Sequence, residues 1–235
     1  MAILKIEMDR YDKLNPWIFI DLETSGLDPS RSEILEIYVV VTDHELNPID
    51  HIHLILHHRS HMVIPKSSNW CRKHFGEQNR GGNGLFRLCN FSNLSYSDCE
   101  YYLWTFLEFY ATNPVGTPRP NIEPRKLFDR TMGFTGELVN NDYTDYYPTK
   151  PVRLLMLAGS TIHFDREFLL HYFPSIRKLL NHKVIDITSL LEVARRFNPG
   201  ALTNLQKPRN IHRACEDIMD SIELLKYIKV NIIQK

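Results

Sequence analysis

The chain has 235 residues, of which 43% are hydrophobic and 24% are charged, a balance typical of globular proteins. This length allows one α/β domain with a sizeable core, or at most two small ones. Lys+Arg and Asp+Glu both number 28, so the formal net charge is zero. That disfavours a protein that coats long nucleic acids by charge alone, so a nucleic-acid function would depend on a local site and favour short substrates.

The N-terminal sequence MAILKIEMDRYDKLNP mixes both charges and has no apolar centre, so we expect neither a signal peptide nor a transit peptide there. No apolar run reaches about 18 residues, so we also expect no membrane span. The four cysteines form no CxxC pair and suggest no disulfide framework. We therefore expect reduced thiols in an intracellular protein of the cytoplasm, with a mitochondrial location left open.

Three strands open the chain in this interpretation. The segment WIFIDL (17–22) is rich in β-branched and aromatic residues and predicts a buried strand. ILEIYVVVTD (34–43) predicts a second strand and HIHLILHH (51–58) a third, and the NP pair at 47–48 marks a hairpin turn between them. Short turns between all three favour an antiparallel arrangement.

The middle of the chain is less regular. Residues 60–95 predict a loop or short helices, with Gly and Asn clustered in NRGGNG (79–84). SDCEYYLWTFLEFYAT (97–112) has apolar residues at helical spacing behind a Ser/Asp cap, and predicts a helix. Residues 114–151 are proline-rich at first and then lack periodicity, so we expect an insertion or mobile loop there.

Strands and helices alternate in the last third. VRLLMLAG (152–159) and KVIDI (183–187) predict strands, and helices are predicted at 165–173, 188–197 and about 213–231. Early hairpins followed by this alternation predict a single α/β domain over 1–235, with a mixed sheet and helices packed on its faces.

Asp21 and Glu23 are the first candidate site residues. Residues i and i+2 of a strand point to the same face, so two carboxylates would repel each other at the end of an apolar strand. A bound cation would offset that repulsion. The alternative is a turn Asp beside a solvated Glu.

Three further residues could join this pair. Asp165 follows the apolar strand 152–159, where active sites of α/β sheets gather, although it could equally cap the helix that it precedes. Asp217 lies in the final predicted helix and His212 near its start, and both could be ordinary surface residues.

Together these five residues suggest metal-dependent phosphodiester hydrolysis. Four carboxylates carry about four negative charges, which two divalent cations would balance, and hard oxygen ligands suit Mg²⁺ or Mn²⁺. Two such ions about 4 Å apart clamp the attacking and leaving oxygens of a phosphodiester. His212 would be the base that takes a proton from the attacking water.

Five segments carry a resemblance to a known family. Three of them resemble the exonuclease motifs of the DEDDh 3′→5′ exonuclease (ribonuclease H-like) superfamily: IDLETSGLDP (20–29), AGSTIHFDREFL (158–169) and HRACEDIMDSI (212–222). Two more are similar to segments typical of oligoribonucleases: SNWCRKHFG (68–76) and VIDITSLLEVARRFNP (184–199). The resemblance covers roughly 17–112 and 152–232.

The resemblance implies a ribonuclease H-like mixed central sheet with helices on both faces. It also implies an exoribonuclease that degrades short single-stranded RNA to 5′-mononucleotides with two Mg²⁺ or Mn²⁺ ions. The first alternative is a broader exonuclease that trims 3′ ends of longer RNA or DNA. The second is a nucleic-acid-binding module that has lost catalysis, which the five intact positions disfavour.

The family's catalytic residues can be carried over one by one. Asp21, Glu23, Asp165 and Asp217 fall on the four metal-binding carboxylates, with Asp21 bridging both ions. His212 falls on the general base, so that His212, Asp21 and Glu23 form the implied catalytic group.

Substrate-binding positions follow in the same way. Leu27 matches the apolar wedge that separates two substrate bases, and Trp70 and His74 match the aromatic and phosphate-contacting positions of the pocket. A cap at the 5′ phosphate restricts the family to very short oligomers, and a homodimer completes that cap, so the resemblance implies a homodimer here.

The chain departs from the family at this cap. Ser160-Thr161 stands where the family commonly has Asn-Ser, and His182-Lys183 stands where it has Tyr-Arg. Thr188 occupies the Ser position of the family's Asp-Val-Ser. Lys keeps the positive charge but loses the planar fork that grips phosphate. Thr161, His182, Lys183 and Thr188 are therefore expected to hold phosphate in a weaker or altered form.

Overall fold

The structure is a computed structural model that describes residues 15–120, 153–206, 209 and 211–233. Five strands and seven α-helices are found in these ranges. The strands are β1 (Trp17–Thr24), β2 (Ile34–Thr42), β3 (Pro48–Ile55), β4 (Leu155–Gly159) and β5 (Leu180–Asp186). The helices are α1 (Ser60–Lys66), α2 (Asn69–His74), α3 (Leu85–Phe91), α4 (Tyr96–Thr112), α5 (Ile162–Tyr172), α6 (Ile187–Phe197) and α7 (Ala214–Ile228).

The five strands form one mixed sheet in the order β3-β2-β1-β4-β5. The pairs β1–β2 and β2–β3 are antiparallel, whereas β4 runs parallel to β1 and β5 parallel to β4. The three antiparallel opening strands and the mixed sheet predicted from the sequence are both confirmed. The carboxyl ends of β1, β4 and β5 consequently meet at one edge of the sheet, where active sites of such sheets form.

Each face of the sheet has its own core, because alternate residues of a strand point to opposite sides. Ile18 and Ile20 of β1 pack on one face against α4 and α5, for example against Phe106 and Phe168. Phe19 packs on the other face against α7. Helices therefore cover both faces, and Asp21 and Glu23 share the face of Phe19 and α7.

Several element boundaries differ from those predicted. The third strand is Pro48–Ile55 instead of 51–58, because the hairpin turn closes early: Asp43 accepts hydrogen bonds from the backbone amides of Glu45 and Asn47. The long helix begins at Tyr96. Its N-cap is Ser95, and Asp98 completes a capping box, so the polar residues at 97–98 lie inside the first turn.

The boundaries of three later elements also differ from those predicted. The helix expected at 165–173 begins at Ile162, directly after Thr161 in a left-handed backbone conformation (φ 57°). The strand expected at 183–187 spans Leu180–Asp186, and Asp186 caps the next helix by accepting from the amides of Thr188 and Ser189. The last helix ends at Ile228 and continues as a short π-helix over Lys229–Ile233.

Most of the predicted insertion at 114–151 lies outside the described residues, as does the N-terminal segment before residue 15, so both remain predictions. The described residues 114–120 contain neither helix nor strand. Arg119 anchors this stretch through an ion pair with Asp50 of β3 (2.6 Å). All four cysteines are free, and within the described ranges no helix has the length and apolar character needed to cross a membrane.

Candidate active site

The centre of the candidate site is a group of three carboxylates at the end of β1. Asp21 and Glu23 project from the same face of the strand, and Asp217 reaches them from the first turn of α7. One carboxylate oxygen of each of the three lies within 4.8 Å of the others. Such close carboxylates are the arrangement in which a shared cation would be bound.

Asp165 approaches the same strand end from α5. It is 3% exposed, and its Oδ1 accepts a hydrogen bond from the backbone amide of Leu22 (2.8 Å). Thr161, not Asp165, is the N-cap of α5, so the interpretation of Asp165 as a helix cap is wrong. Asp165 instead contributes charge beside Asp21, whose pKa it raises.

The electrostatics of the four carboxylates favour a bound cation. Burial, followed by repulsion from neighbouring carboxylates, raises the pKa of Asp21 well above its ordinary value and that of Glu23 to about 9. Burial also raises the pKa of Asp165 to about 8, and burial with the charges of Asp220 and Glu216 raises that of Asp217 to about 6. These groups would be fully ionised near neutrality only with added positive charge, and an all-oxygen donor set suits hard divalent ions such as Mg²⁺ or Mn²⁺.

A fifth carboxylate on the same sheet face, that of Glu36, has hydrogen-bond partners within the protein. Glu36 is fully buried on β2, directly opposite Glu23. Arg213 donates to it from Nε (2.9 Å) and Nη2 (2.6 Å), and His53 Nε2 lies 2.6 Å from its Oε1. Burial alone would raise the pKa of Glu36, but these hydrogen bonds outweigh it and lower the pKa to about 2. Glu36 is therefore an anion with its own protein partner.

Arg213 is a residue that the sequence interpretation missed. It is the N-cap of α7, so its ion pair with Glu36 ties the beginning of that helix to β2. His212 lies immediately before it, and Asp217 one turn after it. The sequence offered two signals for this ion pair: a single Glu within the apolar strand ILEIYVVVT, and an Arg between His212 and the last helix. Their pairing spans 177 residues, which no local pattern reveals.

His212 lies in an aromatic group with Trp70 and His74. The rings of Trp70 and His74 stack at 4.0 Å between centroids, and the His212 ring meets them edge-on at 4.8 Å and 5.0 Å. Burial, followed by the charge of His74, lowers the pKa of His212. The imidazole is therefore neutral and able to accept a proton at neutral pH.

Two contacts bring this aromatic group to the carboxylates. The amide of Ser68, just before α2, donates to the carbonyl of Ser25 (2.9 Å), and Cys71 Sγ lies 3.3 Å from the carbonyl of Thr24. Helix α2, which carries Trp70, is thus attached to the end of β1. Trp70 is 47% exposed and Leu27, in the loop after β1, is 84% exposed. Both apolar side chains are accessible to a ligand.

Thr161 and Thr188 meet beyond the carboxyl ends of the parallel strands. The amide of Thr161 donates to Asp186 Oδ1 (3.2 Å) and to Thr188 Oγ1 (3.1 Å), and the two hydroxyl oxygens are 3.3 Å apart. Asp186 is the residue opposite Gly159 at the end of β4. The structure therefore brings together two of the four predicted cap residues beyond the carboxyl ends of β4 and β5.

The other two predicted cap residues are remote within this chain. Both His182 and Lys183 are exposed on β5, an edge strand. The register places Val184 level with Ile18, which precedes Asp21 by three residues, and two strands away. At about 3.3 Å per residue and about 4.8 Å between strands, His182 and Lys183 lie more than about 14 Å from Asp21.

An open cleft of about 450 Å³ borders His212. Its walls include His74, Asn83, His212 and Glu216, together with Gly81 and Gly82 of the segment 79–84. None of the four carboxylates lines it. The segment NRGGNG, for which the sequence offered no role, is thus a neighbour of His212.

Comparison with solved structures identifies the class of fold. Exonuclease I of Methylocaldum szegediense superposes with a TM-score of 0.55 at 15% identity, covering 94% of this chain and 41% of that chain. Escherichia coli exonuclease I in a complex with single-stranded DNA gives 0.55 at 11% identity, over 94% of this chain and 42% of that chain. The chain thus spans about two-fifths of these neighbours. Its fold is the ribonuclease H-like α/β fold of exonucleases, as predicted.

Sequence comparison identifies the family. The probable oligoribonuclease of Dictyostelium discoideum is 30% identical over 217 residues, which are 92% of this chain and 89% of that protein. Oligoribonuclease of Actinobacillus pleuropneumoniae is 28% identical over 226 residues (96% and 98%), and human mitochondrial oligoribonuclease is 25% identical over 218 residues (93% and 73%). No family model matches the chain. The chain belongs to the oligoribonuclease family, and it is a 3′→5′ exonuclease.

Proposed function

We propose that this protein hydrolyses short single-stranded oligoribonucleotides from their 3′ ends to 5′-mononucleotides, with two Mg²⁺ or Mn²⁺ ions. The observation that carries this proposal is the group formed by Asp21, Glu23 and Asp217, whose oxygens lie within 4.8 Å of one another and whose pKa values are raised. Asp165, held by the amide of Leu22, would complete the donor set. When bound, the ions would supply positive charge to the phosphate under attack.

The protein's own residues would supply orientation and proton transfer. Trp70 offers an exposed ring on which the 3′-terminal base could stack, and Leu27 an exposed apolar side chain that could separate two bases. His212 is kept neutral and accepts the proton of the attacking water. Thr161 and Thr188 present two hydroxyl groups that could donate to the 5′ phosphate.

The test is a product ladder from 5′-labelled RNAs of two to twenty residues in Mn²⁺. Loss of one nucleotide at a time from the 3′ end is expected, with the highest rate on the shortest RNA. Asp21→Ala should abolish turnover while the circular dichroism spectrum of the protein stays unchanged. Parent-like turnover by Asp21→Ala would refute the metal assignment.

A second candidate function is trimming of longer RNA or DNA ends. The exposed positions of His182 and Lys183, remote from Asp21 within one chain, favour it, because a single chain would then lack half of its phosphate cap. A homodimer that supplies these residues from its partner would restore the length limit. Equal rates on two-residue and twenty-residue RNAs, together with a monomeric mass in solution, would support the second candidate.

A further inference from the structure

The segment 79–84 contacts the proposed catalytic base directly. The side-chain amide of Asn83 donates from Nδ2 to the backbone carbonyl of His212 at 2.6 Å. The two residues are 129 positions apart in the chain. Asn83 also binds the other histidine of the aromatic group, because its backbone amide donates to the carbonyl of His74 at 2.7 Å. One residue therefore holds the backbone of both histidines.

His212 has a backbone that needs such support. Its φ of 56° lies in the left-handed region, which is unfavourable for residues other than glycine and is retained where neighbouring contacts hold it. In this conformation the His212 ring meets the rings of Trp70 and His74 edge-on. Arg213, the residue after His212, is held by its ion pair with Glu36, and Asn83 holds the His212 carbonyl itself.

Asn83 is itself held in one orientation. Its Oδ1 accepts a hydrogen bond from the amide of Leu85 (3.0 Å), which leaves Nδ2 as the group that faces His212. The segment folds back closely on the end of α2: the amide of Gly84 donates to the carbonyl of Gly76 at 2.8 Å. A Cβ at Gly82 would lie 2.4 Å from the same carbonyl oxygen, so only glycine allows this approach.

We propose that Asn83 is a positioning residue for the reaction, which holds His212 and His74 in a fixed relation through their backbone carbonyls. The proposal rests on the assignment of His212 as general base. It gives the segment 79–84 a role: a rigid support that extends from α2 to the start of α7. A misplacement of a catalytic group by about 1 Å can lower a rate by about 100-fold, so loss of this hydrogen bond should affect turnover strongly.

Asn83→Asp removes the donor with little change in side-chain shape, and Asn83→Ala removes it without adding a charge. The carboxylate keeps Oδ1 for the amide of Leu85 but removes the N–H that reaches His212. We expect kcat on a short RNA to fall about 10- to 100-fold, with KM changed less than about 3-fold, because Trp70 and Leu27 are untouched. Thermal stabilisation by Mn²⁺ should equal that of the parent. Asn113→Asp is the matched control: Asn113 Nδ2 donates to the carbonyl of Phe109 at the end of α4, and its loss should leave kcat unchanged.

A double-mutant cycle with His212→Ala decides whether Asn83 acts through the histidine. His212→Ala alone should lower kcat by about 10²- to 10⁴-fold. If Asn83 acts through His212, Asn83→Asp should cause no further loss in that background. An undiminished loss in the His212→Ala background, or parent-like kcat of Asn83→Asp, would overturn the positioning role while the proposed function stands.

The same variants also test the base assignment of His212 separately from the positioning role of Asn83. Parent-like kcat of His212→Ala would overturn both the base assignment and the positioning role that rests on it. Asn83→Ala repeats the cycle without the added charge of Asn83→Asp, and so separates positioning from an electrostatic effect on His212. A loss of kcat by Asn83→Ala that vanishes in the His212→Ala background supports the proposal, and one that persists there refutes it.

Discussion

Replacing Glu23 by Gln should stabilise the protein in the absence of metal while it abolishes activity. The pKa of Glu23 is about 9 in the folded protein, against 4.5 as its ordinary value. Because the folded-state pKa is the higher one, stability from this group is complete below about pH 4.5 and is lost as the pH rises towards 9. A pH of 7.5 is about three units above the ordinary pKa of Glu23. For an isolated residue, that difference corresponds to a loss of about 4 kcal/mol in folding stability. Neighbouring carboxylates share the repulsion, so we expect about 2–4 kcal/mol.

The assay is urea unfolding of the parent and of Glu23→Gln in a chelator, at pH 7.5 and at pH 5. The variant should be more stable by the stated amount at pH 7.5, and the difference should shrink below about 1 kcal/mol at pH 5. Glu77→Gln is the control, since it removes the same charge from an exposed ion pair with Arg80 and should change stability by less than about 0.5 kcal/mol. A variant no more stable than the parent at pH 7.5 would refute the account of unbalanced charge at this site.

Three further predictions follow from the same contacts. Mn²⁺ at about 100 times its dissociation constant should stabilise the parent by about 2.7 kcal/mol, or roughly 5–10 °C in melting temperature, and this shift should be absent in Asp217→Asn. Arg213→Leu should cost about 3–5 kcal/mol in urea unfolding, because it leaves the fully buried Glu36 with His53 but without its guanidinium partner, and Glu36→Gln in the same chain should recover part of the loss. Leu27→Ala should leave the melting temperature within about 1 °C, because the side chain is 84% exposed, but should raise KM for a two-residue RNA; an unchanged KM would exclude the wedge role.

The sequence predicted those parts of the site that depend on local periodicity. Period-two alternation in WIFIDLET was sufficient to put Asp21 and Glu23 on one face, because strand geometry allows no other arrangement. Periodicity likewise predicted the last helix, whose buried side packs beside β1. Predicted boundaries were less accurate where a capping side chain determines the first or last residue of an element. The capping box of Ser95 and Asp98, at the start of α4, is an example.

The contacts that hold His212 could not be predicted in this way. Its carbonyl partner, Asn83, and the partner of Arg213, Glu36, are both more than a hundred residues away, so the pairs form only when the sheet and α7 pack together. The left-handed backbone of His212 has no sequence signal either, since histidine adopts it only when its surroundings impose it. Short motifs therefore predicted the candidate catalytic residues, whereas the contacts that position them are seen only in the tertiary structure.

The cross-strand pair of Glu23 and Glu36 shows how the fold separates a structural anion from the proposed metal ligands. Two carboxylates directly opposite each other on neighbouring strands are destabilising unless a cation compensates them. Hydrogen bonds from His53 and Arg213, with the charge of Arg213, compensate Glu36 and lower its pKa to about 2, whereas the pKa of Glu23 stays at about 9. Since Arg213 also lowers the pKa of Glu23 to some extent, it reduces the free energy that a bound cation must supply to ionise that residue. The same arginine fixes the start of α7, so the position of Asp217 and the charge balance at Glu23 depend on one side chain.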